Sequence, residues 1–108
     1  MATYVISEIE DWAGNPTIKI RYAGQDRDKA IEEFDKYFKR NCWNSEENKW
    51  FMISQEVAEE VGEDQSYETV LKYLIRKVDD EGKVVIDSDW DDGEGDYPLY
   101  LQYIKVKD

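Results

Sequence analysis

Asp87, Asp89 and Asp91 stand at alternate positions, and Asp92, Gly93, Glu94, Gly95 and Asp96 follow at once. Hard oxygen ligands at every second residue, on a chain that glycines allow to bend, are what a calcium loop requires. The EF-hand pattern asks for acids at loop positions one, three and five, Gly at six and Glu at twelve. Asp87, Asp89 and Asp91 meet the first three requirements. Position six is Asp92, with Gly93 one late, and position twelve is Pro98. A solvated acidic loop is the plainer reading, with Asp87, Asp89 and Asp91 as the metal ligands of the alternative.

Most catalytic chemistry is removed by what the chain lacks. It contains no His, so no Ser-His-Asp triad, no Cys-His pair and no His metal ligand can form. The single Cys42 makes no internal disulfide and no Cys-rich zinc site. It follows Arg40 and Asn41, at the end of an expected helix, where the dipole disfavours a thiolate. The six glycines are scattered or set among acids and form no phosphate-cradling loop. Paired carboxylates are plentiful, but nothing in the sequence marks one pair as desolvated. The expectation is a protein that is not an enzyme and uses no cofactor.

The acids are segregated. With 26 acidic side chains against 14 basic, the chain carries a net charge of −12 at neutral pH. Residues 46–68 hold eight acids and only Lys49, a net of −7, and residues 79–96 hold nine acids and only Lys83, a net of −8. Between them, Lys72, Arg76 and Lys77 make 69–78 net +3. Trp43, Trp50, Tyr67, Trp90 and Tyr97 lie within or beside the acidic stretches. Carboxylates pair with the Arg and Lys that normally hold phosphates, and rings stack on guanidinium planes. Duplex DNA presents about one charge per 1.7 Å of axis, so a competitor for its binding groove needs carboxylates in rows. The candidate partner-binding residues are therefore Glu59, Glu60, Glu63 and Asp64 from one stretch. The other contributes Asp87, Asp89, Asp91, Asp92 and Glu94, with Trp90 as aromatic anchor. The expected partner is the basic surface of a nucleic-acid-binding protein; nucleic acid itself and anionic membranes would be repelled.

In size, acidity, clustered Asp/Glu and lack of catalytic groups the chain resembles the small acidic inhibitors encoded by phages and mobile elements, of the anti-CRISPR and anti-restriction type. The stretch from Leu74 to Ile86, with Asp79-Asp80-Glu81-Gly82 at its centre, resembles the acidic-turn hairpins that some anti-CRISPR proteins carry. The resemblance implies an inhibitor that occupies a basic groove by mimicking nucleic acid. The alternatives are a calcium-binding domain, or a structural or accessory domain whose acidity serves solubility.

The elements that would position these residues form a single domain over 1–108, of α+β class. Thr3 to Ile9 and Thr17 to Tyr22 read as a hairpin around the turn residues Asp11 to Pro16. Its second strand has Ile18, Ile20 and Tyr22 on one face and Thr17, Lys19 and Arg21 on the other. Ala30, Ile31, Phe34, Tyr37 and Phe38 recur at helical spacing after Asp26 or Asp28 as cap. This amphipathic helix is expected to lie across the hairpin. Lys49 to Ser54 reads as a short apolar strand, and Ser54 as the cap of a short helix through Val57, Ala58 and Val61, stopped by Gly62. Ser66 to Val78 fits a helix, yet Leu74 to Val78 with Lys83 to Ile86 also fits a hairpin; the longer periodicity favours the helix. Leu99 to Val106 reads as the last strand of a small, mostly antiparallel sheet. No secretory signal or apolar run of about 20 residues is present, so a cytoplasmic, soluble protein is expected.

Overall fold

The computed structural model of the chain describes residues 1–12, 15–42, 59–64, 66–91 and 96–107. The strand expected at 49–54, the start of the short helix at 54–58, and Asp92 and Glu94 lie outside these residues.

The β-rich N-terminus forms β1 (Thr3–Trp12) and β2 (Asn15–Gly24), paired antiparallel from Tyr4↔Gly24 to Trp12↔Asn15. Pro16 is tolerated in β2 because that strand is an edge and needs no donor on its outer side. The C-terminal half supplies β3 (Lys83–Asp91) and β4 (Asp96–Val106), a second antiparallel hairpin. The first and last strands then pair with each other, Thr3↔Val106 through Glu10↔Leu99, which closes a four-stranded antiparallel sheet of order β2-β1-β4-β3. Pro98 falls one residue beyond that pairing, so β1 does not need its missing N–H.

Two helices cover one face. α1 (Arg27–Tyr37) starts at Asp26, whose side chain accepts from the backbone N–H groups of Asp28 and Lys29, at 3.1 and 3.2 Å. It continues into a π-helical turn, Phe38–Cys42. α2 (Tyr67–Glu81) starts at Ser66 and ends at Gly82, which sits at φ +90°, a left-handed cap that favours glycine. Residues 66–78 are thus helical, and Asp79 to Glu81 form the last turn of α2. This corrects the hairpin alternative for Leu74 to Ile86: the strand begins only at Lys83, after the cap. α1 lies over β1 and β2, and α2 over β3 and β4. The α+β architecture is as the sequence predicts, and among the described residues no helix is long and apolar enough to cross a membrane.

The core follows from these periodicities. Ala30, Phe34 and Phe38 from α1 and its π turn meet Val70, Leu74 and Val78 from α2. Both sets pack on Tyr4, Ile6, Val84, Ile86, Leu101 and Tyr103 of the sheet. Phe34 is at the centre, 5.8 Å from the Phe38 ring and 5.1 Å from Tyr103. Each large apolar side chain removed from water here contributes roughly 1.5–3 kcal/mol.

Strand β2 departs from the expected faces. A bulge between Ile6 and Ser7 skips Arg21, so Ile6 pairs with Tyr22 while Ser7 pairs with Ile20. The extra residue reverses the alternation. Tyr22 turns toward the helices, folds over Gly24, where a Cβ would stand 2.7 Å from the tyrosine oxygen, and bonds the backbone of Asp26. Ile18 and Ile20 turn the other way and are 62% and 65% exposed. The face away from the helices therefore carries three cross-strand rows. By register they are Ile18–Ile9–Tyr100–Asp87, Ile20–Ser7–Gln102–Val85 and Ala23–Val5–Ile104–Lys83, with Val106 beyond.

Candidate partner-binding surface

The two helices run antiparallel, and this decides where the acids go. At one end of the layers, Arg27 at the start of α1 donates to Asp79 in the last turn of α2, Nη2 to Oδ2 at 2.6 Å. At the opposite, distal end, the Tyr67 hydroxyl at the start of α2 donates to the Asp35 carboxylate in the last turn of α1. Because one residue, Gly82, connects α2 to β3, the strand runs back alongside the helix and brings Asp87 to Asp91 toward that distal end.

Glu63 and Asp64 arrive at the same end from the other direction, since they immediately precede the Ser66 cap. Asp64 accepts from the Thr69 hydroxyl at 2.7 Å and from the Ser66 N–H at 3.2 Å, and Ser66 and Thr69 bond each other at 3.0 Å. These bonds, that from Thr69 first, hold the Asp64 carboxyl below the usual carboxylate range. Asp64 thus keeps its charge but is committed to shaping the helix start. Glu63 is exposed. Residues 59–61 form a helical turn closed by Gly62, at φ +69°. Glu60 faces a cleft of about 410 Å³ along the flank of α2, lined also by Tyr73, Arg76, Lys77, Asp80 and Glu81. It stands beside cations of its own chain rather than at the distal tip, and Glu59 next to it is exposed.

Asp87, Asp89, Trp90 and Asp91 belong to β3, not to a loop. They pair with Tyr100, Pro98, Tyr97 and Asp96 of β4, and from Asp89 to Asp91 the β3–β4 pairing continues past the last β1–β4 pair. Alternate residues of a strand repeat every ~6.6 Å. Residues 87 and 91 are therefore about 13 Å apart along the chain, whereas a calcium ion draws its oxygens to 2.3–2.6 Å around one centre. The loop expected over Asp87, Asp89 and Asp91 is therefore strand instead: the backbone is extended where an EF-hand loop curls. Among the described residues no group of three acids is gathered about a common point. What the strand does provide is a row.

The second acidic stretch is divided by the fold. Asp79, Asp80 and Glu81 end α2 at the far side from the ribbon, and Asp79 is held below the usual carboxylate range by its bond to Arg27. Tyr67, grouped by sequence with the acidic surface, is half-buried and stacks on Phe38 at 5.6 Å. Burial, then its bond to Asp35, pushes its phenol well above the ordinary value.

One charged cluster was not anticipated as a unit. Glu8 is 4% exposed on the helix side of β1, and Arg21, the bulged residue, donates Nε to its Oε1 at 2.6 Å. The Arg21 guanidinium also lies 5.0 Å over the Tyr37 ring. Lys19 pairs with Glu10 at 3.5 Å farther along the same face. The cationic face of β2 is thus used internally. The register pairing Glu8 with Lys19 hints at it, but only the bulge brings Arg21 into reach. Comparison with known protein families, with curated proteins and with solved structures finds no match to this chain.

Proposed function

We propose that the protein is a non-enzymatic binding protein whose acidic distal end occupies the basic, nucleic-acid-binding surface of a larger protein, and so inhibits it in the manner of anti-CRISPR or anti-restriction proteins. The observation that carries the reading is the β3–β4 hairpin, with Asp87, Asp89, Asp91 and Asp96 along it, which runs toward the end of the helix layer where Glu63 and Asp64 precede α2. A two-stranded ribbon is narrow enough to enter a groove that admits a nucleic-acid strand, and its acids form rows rather than a cage. Trp90 is the proposed aromatic anchor, and Asp92 and Glu94 extend the same charged run. Glu59 and Glu60 contribute to the approach field from the flank of α2. Long-range attraction then speeds encounter, and displaced nucleic acid cannot return while the ribbon is seated.

The test is capture from a candidate host lysate at low and high salt, followed by competition of the captured protein with duplex DNA or RNA. A nucleic-acid-binding protein retained at low salt, released at high salt and displaced by nucleic acid is the expected result. Replacing Asp87, Asp89 and Asp91 together by Lys is expected to abolish capture, with the fold checked by circular dichroism. Retention of that partner by the triple-Lys variant would sink the reading.

A further inference from the structure

Three features of the fold converge on one guanidinium. The bulge leaves Arg21 without a Cα partner on β1, and a bulge is a means of re-aiming a side chain. Glu8, 4% exposed, accepts the Arg21 Nε–H at 2.6 Å. The Tyr37 ring of α1 lies 5.0 Å from the guanidinium carbon. Keeping a carboxylate at so buried a position is costly, and an apolar side chain there would avoid the cost. What Glu8 and Tyr37 provide in return is orientation: one edge of the guanidinium is bonded and its plane is set against a ring.

The other donors of Arg21 are left over. An arginine carries five N–H donors in one rigid plane, and the bond to Glu8 uses the one on Nε. Among the described residues the two Nη groups have no hydrogen-bond partner, and the side chain is 33% exposed. Lys36 precedes Tyr37 in α1, and its ammonium stands 5.3 Å from the centre of the same ring. Lys36 is exposed and makes no ion pair among the described residues. Two cations drawn to one ring repel each other, and an anion that meets both relieves the repulsion. Lys19, two residues before Arg21 on β2, is answered by Glu10 at 3.5 Å. Lys19, Arg21 and Lys36 against Glu8 and Glu10 leave this corner positive, in a chain of net −12.

We propose that Arg21 and Lys36 form an anion site for a phosphate group, which the Nη edge of Arg21 holds through two oxygens while Lys36 meets a third. A carboxylate has two oxygens only, and the fork would use both. Phosphate satisfies the fork and still offers an acceptor to the ammonium. The site lies on β1, β2 and α1 and stands apart from the inhibitor reading.

The test is a nuclear magnetic resonance titration of the full chain with inorganic phosphate and, separately, with phenyl phosphate. Ionic strength is held constant with sodium chloride, so that screening does not change. Saturable shifts of the Arg21 Nε–H and the Tyr37 backbone N–H, half complete in the low millimolar range, are expected. Tighter binding of phenyl phosphate identifies an esterified phosphate as the ligand, and tighter binding of inorganic phosphate the free ion. A linear response to both, without saturation, overturns the proposal. Arg21→Lys keeps a cation opposite Glu8 but removes the fork, and is expected to weaken binding at least tenfold. Lys36→Gln is expected to weaken it several-fold with an unchanged melting temperature. Lys29→Gln makes the same charge change in the first turn of α1 and is expected to leave binding intact. Equal losses from Lys36→Gln and Lys29→Gln would reduce the effect to the general field and overturn the site.

Discussion

Tyr103 shows what one buried polar atom costs. Its ring is fully buried against Phe34 and Tyr4, and among the described residues its hydroxyl has no hydrogen-bond partner. A buried hydroxyl left unpaired costs about 1–3 kcal/mol. Tyr103→Phe removes the oxygen and keeps the ring, so it is expected to stabilise the protein by about 1 kcal/mol in a denaturant melt. Burial pushes the Tyr103 phenol up to about 12, above the ordinary value of ~10 in the unfolded chain. The folded state therefore holds its proton more tightly. Stability from this group is complete below pH ~10 and falls as the pH rises from there toward 12. The Phe variant is expected to unfold at higher pH than the parent in an alkaline titration. Residue by residue, the aromatic core was legible: Ala30, Phe34 and Phe38 declared one helix face and Val70, Leu74 and Val78 another. The Arg21–Glu8 pair was not, because it depends on a bulge that no local signal announces.

The elements were legible where their ends carry distinctive chemistry. Asp26 and Ser66 mark helix starts by side-chain acceptors, and Gly82 marks the end of α2 by a conformation other residues resist. Between a helix and a hairpin over 66–86, the cap decides: φ +90° at Gly82 ends the helix and lets β3 begin at once. A Cβ at Gly82 would meet only the Lys105 carbonyl, at 3.6 Å, so space is not the obstacle. Gly82→Ala is expected to cost about 1 kcal/mol through the backbone alone, read as a lowered midpoint in urea with an unchanged slope. The acidic turn imagined at 79–82 misread that cap, since acids followed by glycine suit a hairpin turn as well as a helix end. The β3–β4 ribbon was misread for a related reason. Alternating aspartates satisfy both a calcium loop and a strand, and cross-strand pairing, which is non-local, makes the choice.

On the scale of the whole molecule, the distribution of charge matters more than its total. Sequence windows merge Asp79 to Glu81 with Asp87 to Asp96, whereas the antiparallel helices and the one-residue connection send them to opposite ends. The approach of Glu63 and Asp64 to the outer end of β3 likewise follows from the direction of α2 and its one-residue link to that strand. A chain of net −12 resists its own compaction, and salt relieves that resistance. Raising sodium chloride from about 20 to 200 mM shortens the screening length roughly threefold and is expected to raise the melting temperature by a few degrees. The same change is expected to weaken capture of a basic partner. Opposite responses of stability and binding to one variable separate self-repulsion from recognition.

The bulge at Arg21 makes the two sides of the sheet answer to each other. With the bulge, Arg21 reaches the buried Glu8 and the isoleucines of β2 look outward. Without it, β2 would slide by one residue, Ile18 and Ile20 would turn inward beside the helices, and Lys19 would face water. The Arg21–Glu8 bond accompanies the bulged pairing, and its removal is expected to favour the unbulged one. Glu8→Leu is expected to shift the cross-strand contacts of Ser7 from Ile20 to Arg21, visible in nuclear Overhauser effects. One substitution on the hidden side is in this way expected to turn the visible side of β2 from apolar to cationic. The outward character of β2 is therefore tied to a side chain that is itself buried, Glu8.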